Sequence, residues 1–300
     1  MSSPTTIRVA LDWTPNTIHT GLYVALSRNF YTSHNLSVEL LPPGPSYSTT
    51  PAKRLENGTA DLAVCPSESC IAYHESGKQR LQAIYAILQR DASAIVSTKL
   101  SRPAELGHGV YGSYNARYED DIVRAIVTKD GGDAAGMRIE REAGKLGLFD
   151  AVKKGDVDAT WVFMPWEGVE AEMEGTQLHV FRMEEYGVPY GYSPVIARDA
   201  ATSAVSEEAL RAFVKATGEG YAYAMQHVEE AANILGEHCQ PRRSKEFLES
   251  SQRYINDYYG SGGLGRMQKE KWKTWVEWLQ DQGLLKTKVN PDQLFTDAFF

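Results

Sequence analysis

The stretch Ile7-Arg8-Val9-Ala10-Leu11-Asp12-Trp13-Thr14-Pro15-Asn16-Thr17-Ile18-His19-Thr20-Gly21-Leu22-Tyr23-Val24-Ala25-Leu26 changes its hydrophobic period once. Ile7, Val9 and Leu11 alternate with polar or small neighbours, which is the period of a strand. Trp13-Thr14-Pro15-Asn16 then turns the chain, and Ile18, Leu22, Ala25, Leu26 and Phe30 follow at helical spacing. Asn16 or Thr17 is the candidate N-cap, because a short side-chain oxygen there accepts one of the helix's unpaired N–H groups. The chain therefore runs strand, loop, helix. Further strands are expected at 36–41, 61–64, 81–88 and 94–98, with helices at 50–56 and 67–76 between them. Alternation of this kind implies a mainly parallel sheet with both faces covered.

The pattern then begins again. A strand is expected near 109–112, a helix over 117–129, strands near 137–140 and 158–163, and a helix after Pro165. Lys154-Gly155-Asp156-Val157-Asp158-Ala159 echoes Glu56-Asn57-Gly58-Thr59-Ala60-Asp61-Leu62. Each is a helix-ending Gly, an Asp that opens a short apolar strand, and then a loop with Pro and Glu: Cys65-Pro66-Ser67-Glu68 and Met164-Pro165-Trp166-Glu167. Two similar lobes would turn such loops toward each other, although Gly-x-x-Asp is also common turn chemistry. From Ser206 onward the chain reads as helical. Leu210, Phe213 and Val214 share one face, and 268–282 carries Trp272, Trp275 and Trp278 as a stripe expected to be a buried packing face, the alternative being an aromatic ligand surface.

Composition bounds the function. Three hundred residues with 42% hydrophobic content suit two domains with real cores, and a net charge of −8 opposes binding to nucleic acid or anionic lipid. Three cysteines (Cys65, Cys70, Cys239) without a C-x-x-C pair indicate neither a disulfide framework nor a zinc site. The opening residues lack the basic and apolar regions of an export signal, and no apolar run spans a bilayer, so a cytoplasmic chain with reduced thiols is expected.

Among the motifs, Gly260-Ser261-Gly262-Gly263-Leu264-Gly265 matches G-x-G-x-x-G but follows a helical segment, where a dinucleotide site needs a strand, so it reads as a connector. Gly112-Ser113-Tyr114-Asn115 lies between a strand end and a helix start; it is either an anion cradle of backbone N–H groups, with Arg117 nearby, or an ordinary capped loop. Trp13, Tyr23, Tyr85, Tyr114, Trp166, Tyr190 and Tyr192 place aromatic planes near strand ends, where open α/β sheets bind ligands. Glu68 and Glu167 would accept hydrogen bonds from an amino group or a protonated ring nitrogen, or else charge the first turns of their helices. His19 is the histidine nearest a site, and the seven histidines show no metal spacing.

The segment from Leu11 to Ala25, together with Gly58-Thr59-Ala60-Asp61, the 112–115 loop, the run from Gly155 to Asp158 and Leu294-Phe295-Thr296-Asp297, resembles the pyrimidine-precursor proteins of thiamine metabolism. These comprise bacterial formylaminopyrimidine-binding proteins and yeast-type hydroxymethylpyrimidine phosphate synthases. The resemblance implies an α/β fold of the type II periplasmic-binding-protein kind: two lobes (1–95 plus 196–300, and 96–195), a ligand cleft between them and a helical C-terminal segment. It also implies that the synthase branch carries a donor histidine, a lysine for pyridoxal phosphate and a cysteine-rich run accompanying iron. Here the corresponding loop reads Cys65-Pro66-Ser67-Glu68-Ser69-Cys70, and the cysteine run is replaced by Tyr186-Gly187-Val188-Pro189-Tyr190-Gly191-Tyr192-Ser193-Pro194. The expected function is thus binding of a small aminopyrimidine or related heteroaromatic ligand, phosphorylated or not. No catalytic residue, metal or cofactor is expected. Asp12, Trp13, Asn16, His19, Ser67, Glu68, Gly112, Ser113, Tyr114, Asn115, Trp166, Glu167 and Tyr190 are the expected ligand-binding residues. The alternative is an intracellular enzyme acting on a pyrimidine or a pyridoxal-phosphate-like substrate.

Overall fold

The computed structural model describes residues 3–44, 47–78, 80–141, 147–202, 204–260 and 263–300. Ser261 and Gly262 of the glycine-rich connector lie outside them. Among the described residues the strands are β1 (Thr5–Ala10), β2 (Leu36–Leu41), β3 (Leu62–Cys65), β4 (Leu81–Ala86), β5 (Ser93–Ser97), β6 (Val110–Ser113), β7 (Arg138–Arg141), β8 (Ala159–Phe163), β9 (His179–Phe181) and β10 (Val195–Asp199). They form two five-stranded sheets, ordered β2-β1-β3-β10-β4 and β7-β6-β8-β5-β9.

The chain divides into two compact units, one of Met1–Asp91, Gly191–Val276 and Leu285–Phe300, the other of Ala92–Tyr190 and Glu277–Leu284. Against the expected 1–95 plus 196–300 and 96–195, the chain changes unit at 91/92 and 190/191, and 277–284 belongs to the second unit. Its residues Trp278 and Leu284 line a groove there beside the helix Glu119–Lys129.

Each sheet has the same plan. A parallel trio (β2-β1-β3 or β7-β6-β8) is followed by one antiparallel strand and then an edge strand. Four of the five strands in each sheet run the same way, as expected of a mainly parallel sheet, and the exceptions are β10 and β5. Each is the first strand that the chain makes after leaving the other unit, and it starts where the third strand ends: Val195 faces Cys65, and Ser93 faces Phe163.

The Gly-x-x-Asp echo is explained by one repeated device. Asp61 N–H donates to the Arg8 carbonyl at 2.8 Å, while its Oδ2 accepts from Arg8 N–H at 2.8 Å. Asp158 makes the same reciprocal pair with Val110, with both bonds at 2.8 Å. The third strand of each trio is thereby locked to the first. Gly155, at φ +82°, ends the preceding helix in the left-handed conformation that permits this abrupt turn, and Gly58 does so at φ +69°. Arg8 adds a bidentate side-chain pair to Asp61, with Nε at 3.0 Å and Nη2 at 2.7 Å.

The cores are apolar at the positions that alternation marked. Ile7, Val9, Leu62 and Val64 in the first sheet, and Ala94, Val96 and Tyr111 in the second, are essentially inaccessible. The Trp stripe is buried at Trp272 and Trp275, as a packing face should be, but Trp278 is only half-buried. Among the described residues no helix is long and apolar enough to cross a membrane.

Asp158→Ala is expected to lower the unfolding free energy by about 1–3 kcal/mol, the cost of leaving a part-buried N–H without its acceptor. Asp61 also predicts a pH dependence. Burial alone would push its carboxyl up, but the hydrogen bonds from the Arg8 side chain and backbone hold it below the usual value. Its contribution is therefore present above the unfolded carboxylate value near ~4 and disappears as pH falls through the folded value. Urea unfolding of wild type and Asp61→Asn should show a stability gap that narrows on acidification, and a constant gap would contradict this role.

Candidate functional site

In the first unit the loop after β1 leads into a single helical turn, Thr17–His19, and then the helix Thr20–Ser27. Asn16 caps it as expected: its Oδ1 accepts from Ile18 N–H at 2.9 Å and its Nδ2 donates to the Thr14 carbonyl at 3.2 Å. His19 Nδ1 accepts from Asn16 N–H at 3.3 Å, which leaves the proton on Nε2, and this atom lies 2.8 Å from Asp12 Oδ1. The ring is thus fixed in one tautomer and is fully buried, whereas Asp12 keeps about a fifth of its side chain exposed. Asn16 and His19, both expected to touch ligand, have their polar atoms engaged in shaping the turn. Asp12 and Trp13 are the groups that this arrangement presents.

Trp13 leans on Tyr47, with ring centroids 4.9 Å apart and planes at 48°. Sequence reasoning missed Tyr47, which sits in an irregular loop with no periodic signal. Ser67 and Glu68 begin the helix after β3, and both are buried. Ser67 Oγ donates to Glu68 Oε2 at 3.2 Å, and Ser67 N–H donates to the Tyr192 carbonyl at 3.0 Å. Glu68, with almost no exposure, and the part-exposed Asp12 both act electrostatically on the buried Cys65 thiol. The three thiols are buried and unoxidised. The hydrogen bond with Cys70 and burial push the Cys65 thiol up, and burial pushes Cys239 up to about 11, so both stay protonated at neutral pH. Cys239 Sγ donates to the Pro15 carbonyl at 3.4 Å and braces the same loop. Without lysine or histidine, the 65–70 loop does not fit the pyridoxal phosphate and donor-histidine chemistry of the synthase branch.

Of the other aromatic planes, Tyr85 and Tyr192 are core residues, and Tyr23 is buried against His238 with centroids 4.2 Å apart.

In the second unit the 112–115 loop carries an anion of its own. Glu119 is buried, and its carboxylate accepts from Tyr114 N–H at 3.1 Å, Ala116 N–H at 2.8 Å and Tyr111 Oη at 2.9 Å. Ser113 Oγ takes Asn115 N–H at 3.0 Å and donates to Asp120 at 2.6 Å. The backbone donors expected to cradle a ligand anion are therefore occupied, and the helix opens on Glu119, Asp120 and Asp121, whose charges repel one. Gly112 also differs from expectation. It has no positive φ; a Cβ there would press on Leu148 and Val157 at about 3 Å, so the glycine serves close packing. The left-handed residues are Asn115 and Tyr118. An acid a few residues beyond the loop was the signal available in the sequence.

Trp166 and Glu167 lie on one turn of π-helix, Met164–Gly168, a rare geometry concentrated at functional positions. Glu167 Oε2 accepts from Phe163 N–H at 3.0 Å, and its charge, with that of Glu119, adds to burial in pushing the Tyr114 hydroxyl up. Tyr190 packs on Trp161, with centroids 5.3 Å apart.

The family model described as NMT1/THI5 like matches residues 16–231. The formylaminopyrimidine-binding protein of Halalkalibacterium halodurans is 24% identical over 300 residues, covering 97% of this chain and 89% of that protein. Among solved structures, the periplasmic nitrate-binding protein of Synechocystis PCC 6803 superposes with a TM-score of 0.73 at 14% identity, covering 99% of this chain and 87% of that one. The alkanesulfonate-binding protein of Xanthomonas axonopodis pv. citri gives 0.74 at 12% identity and 99% of both chains. The fold is that of the periplasmic solute-binding proteins. The cytoplasmic expectation is corrected by the same set, whose members include periplasmic proteins and an import-system ligand-binding component.

Glu119 generates a prediction. Burial pushes its carboxyl above the ordinary value, against the N–H and Tyr111 bonds that favour the charged form. A raised folded value means that its stability contribution is full below ~4.3 and is lost as pH rises through the folded value. The stability of Glu119→Gln relative to wild type should accordingly improve between pH 4 and pH 7 in denaturant titrations. A flat difference would mean that the carboxyl is not perturbed by burial.

Proposed function

The chain belongs to the NMT1/THI5-like family, and from that premise we propose that it binds a small aminopyrimidine of the formylaminopyrimidine kind. The observation that carries this reading is that the loop after β1 and the start of the helix after β3, its parallel neighbour, supply an aromatic plane, Trp13, and two carboxylates, the part-exposed Asp12 and the buried Glu68, both of which act on the Cys65 thiol. An aminopyrimidine offers what such groups need: a flat face for stacking, an exocyclic amino group and a ring nitrogen that can carry a proton. Asn16 and His19 hold Asp12 and Trp13 in place rather than contacting the ring. Ser67 orients Glu68.

The 112–115 loop is not given a phosphate, because Glu119 already holds its donors. Binding without turnover is supported by protonated thiols and by a loop that lacks the synthase's histidine and lysine.

Calorimetry with formylaminopyrimidine tests the assignment. Trp13→Ala should weaken binding by about 1–3 kcal/mol, the loss of one aromatic platform. Glu68→Gln should weaken it by a comparable ~1.5–3 kcal/mol, the range for a hydrogen bond to a charged group. Both variants should keep the wild-type circular dichroism spectrum. Unchanged affinity in both would remove these residues from the site.

A further inference from the structure

The helix Glu119–Lys129 buries Ile122, Val123, Ile126 and Val127 and turns Asp121, Arg124 and Lys129 to a groove within the second unit. Tyr186 and Gly187 from the turn after β9, and Trp278 from the helix Lys269–Asp281, also line this groove, whose volume is about 500 Å³. That space suits a small organic molecule.

Three features give the groove a chemical preference. Among the described residues neither Arg124 nor Lys129 has a carboxylate within ion-pair distance, and Arg124 Nη1 donates to the Ala134 carbonyl. The neighbouring Arg102, by contrast, is paired with Asp130 at 3.0 Å. In a chain of net charge −8, two cations against the single carboxylate of Asp121 give this groove's lining a net positive charge. Trp278, the half-buried member of the Trp stripe, lines the groove with an aromatic ring. Gly187, at φ +76°, ends its turn without a side chain, and a Cβ there would stand 3.9 Å from Lys129 Cε. Asp121, the one carboxylate of the lining, lies eight residues from Lys129, a rise of roughly 12 Å, so the cationic end of the groove is at Lys129.

We propose that this groove is a second ligand site, for a small planar aromatic or heteroaromatic anion, with its carboxylate or phosphate on Lys129 and Arg124 and its ring against Trp278. The site is independent of the aminopyrimidine assignment, whose residues Trp13 and Glu68 belong to the other unit.

The test is calorimetry on the full chain with phenyl phosphate and benzoate as probes and benzyl alcohol as the neutral control. Saturable binding of at least one anion is expected, weakening with added salt, with benzyl alcohol binding about tenfold less well for want of a charge-assisted bond. Lys129 is exposed, so Lys129→Glu should fold normally, with its melting temperature as the check, and should weaken the anion by about tenfold or more. Trp278→Leu should also weaken it, whereas Trp13→Ala should leave it unchanged. The proposal is overturned by an absence of binding at millimolar probe, by equal affinity in wild type and Lys129→Glu, or by loss of the probe in Trp13→Ala.

Discussion

A polar turn placed in the core must satisfy each of its donors and acceptors, and the segment from Asn16 to Thr20 is such a turn: Thr17, His19 and Thr20 have no exposed surface, and Asn16 retains 5%. Its partners come from far along the chain. Tyr259 Oη donates to the Thr17 carbonyl, Tyr221 Oη to the Ile18 carbonyl at 2.7 Å, and Ser251 Oγ pairs with Thr17 Oγ1 at 2.8 Å. The helices Glu207–Gln226 and Lys245–Tyr259 are thereby committed to the same place as the N-terminal turn. Gly21 is the residue that lets Tyr221 approach, since any Cβ there would overlap its ring at 2.3 Å. Asp12 joins this network through His19, so the loop that carries Asp12 and Trp13 is held by residues more than two hundred positions away.

The repeated unit shows a second economy. One reciprocal pair between an Asp and the first strand, set by a left-handed glycine, closes each parallel trio, and the chain uses it at Asp61 and again at Asp158. This part of the fold was legible, because both the period of the strands and the Gly-x-x-Asp spacing are local. The direction of β5 and β10 was not. Their orientation depends on where the chain enters each unit, and a strand running backward has the same alternation as one running forward.

For the candidate residues, local roles were legible and long-range partners were not. Asn16 was readable as a cap, yet nothing local said that its amide would be wholly spent on the turn, or that His19 would face inward to Asp12. The 112–115 loop carries every local sign of an anion cradle. What decides against it is Glu119, whose position at the first turn of its helix looks like ordinary dipole compensation until its carboxylate is seen to reach back to Tyr114 and Ala116. Tyr47 and Trp161, the ring partners of Trp13 and Tyr190, come together through tertiary packing alone.

The central claim is that a chain of this family, with the synthase loop replaced by one ending in a buried glutamate, retains a pyrimidine-binding site without the chemistry. Native mass spectrometry during titration with formylaminopyrimidine tests it most directly. The account predicts a one-to-one adduct that leaves the ligand mass unchanged over time and competes with other 4-aminopyrimidines. Absence of any adduct, or its conversion to a species of different mass on the protein, would contradict it.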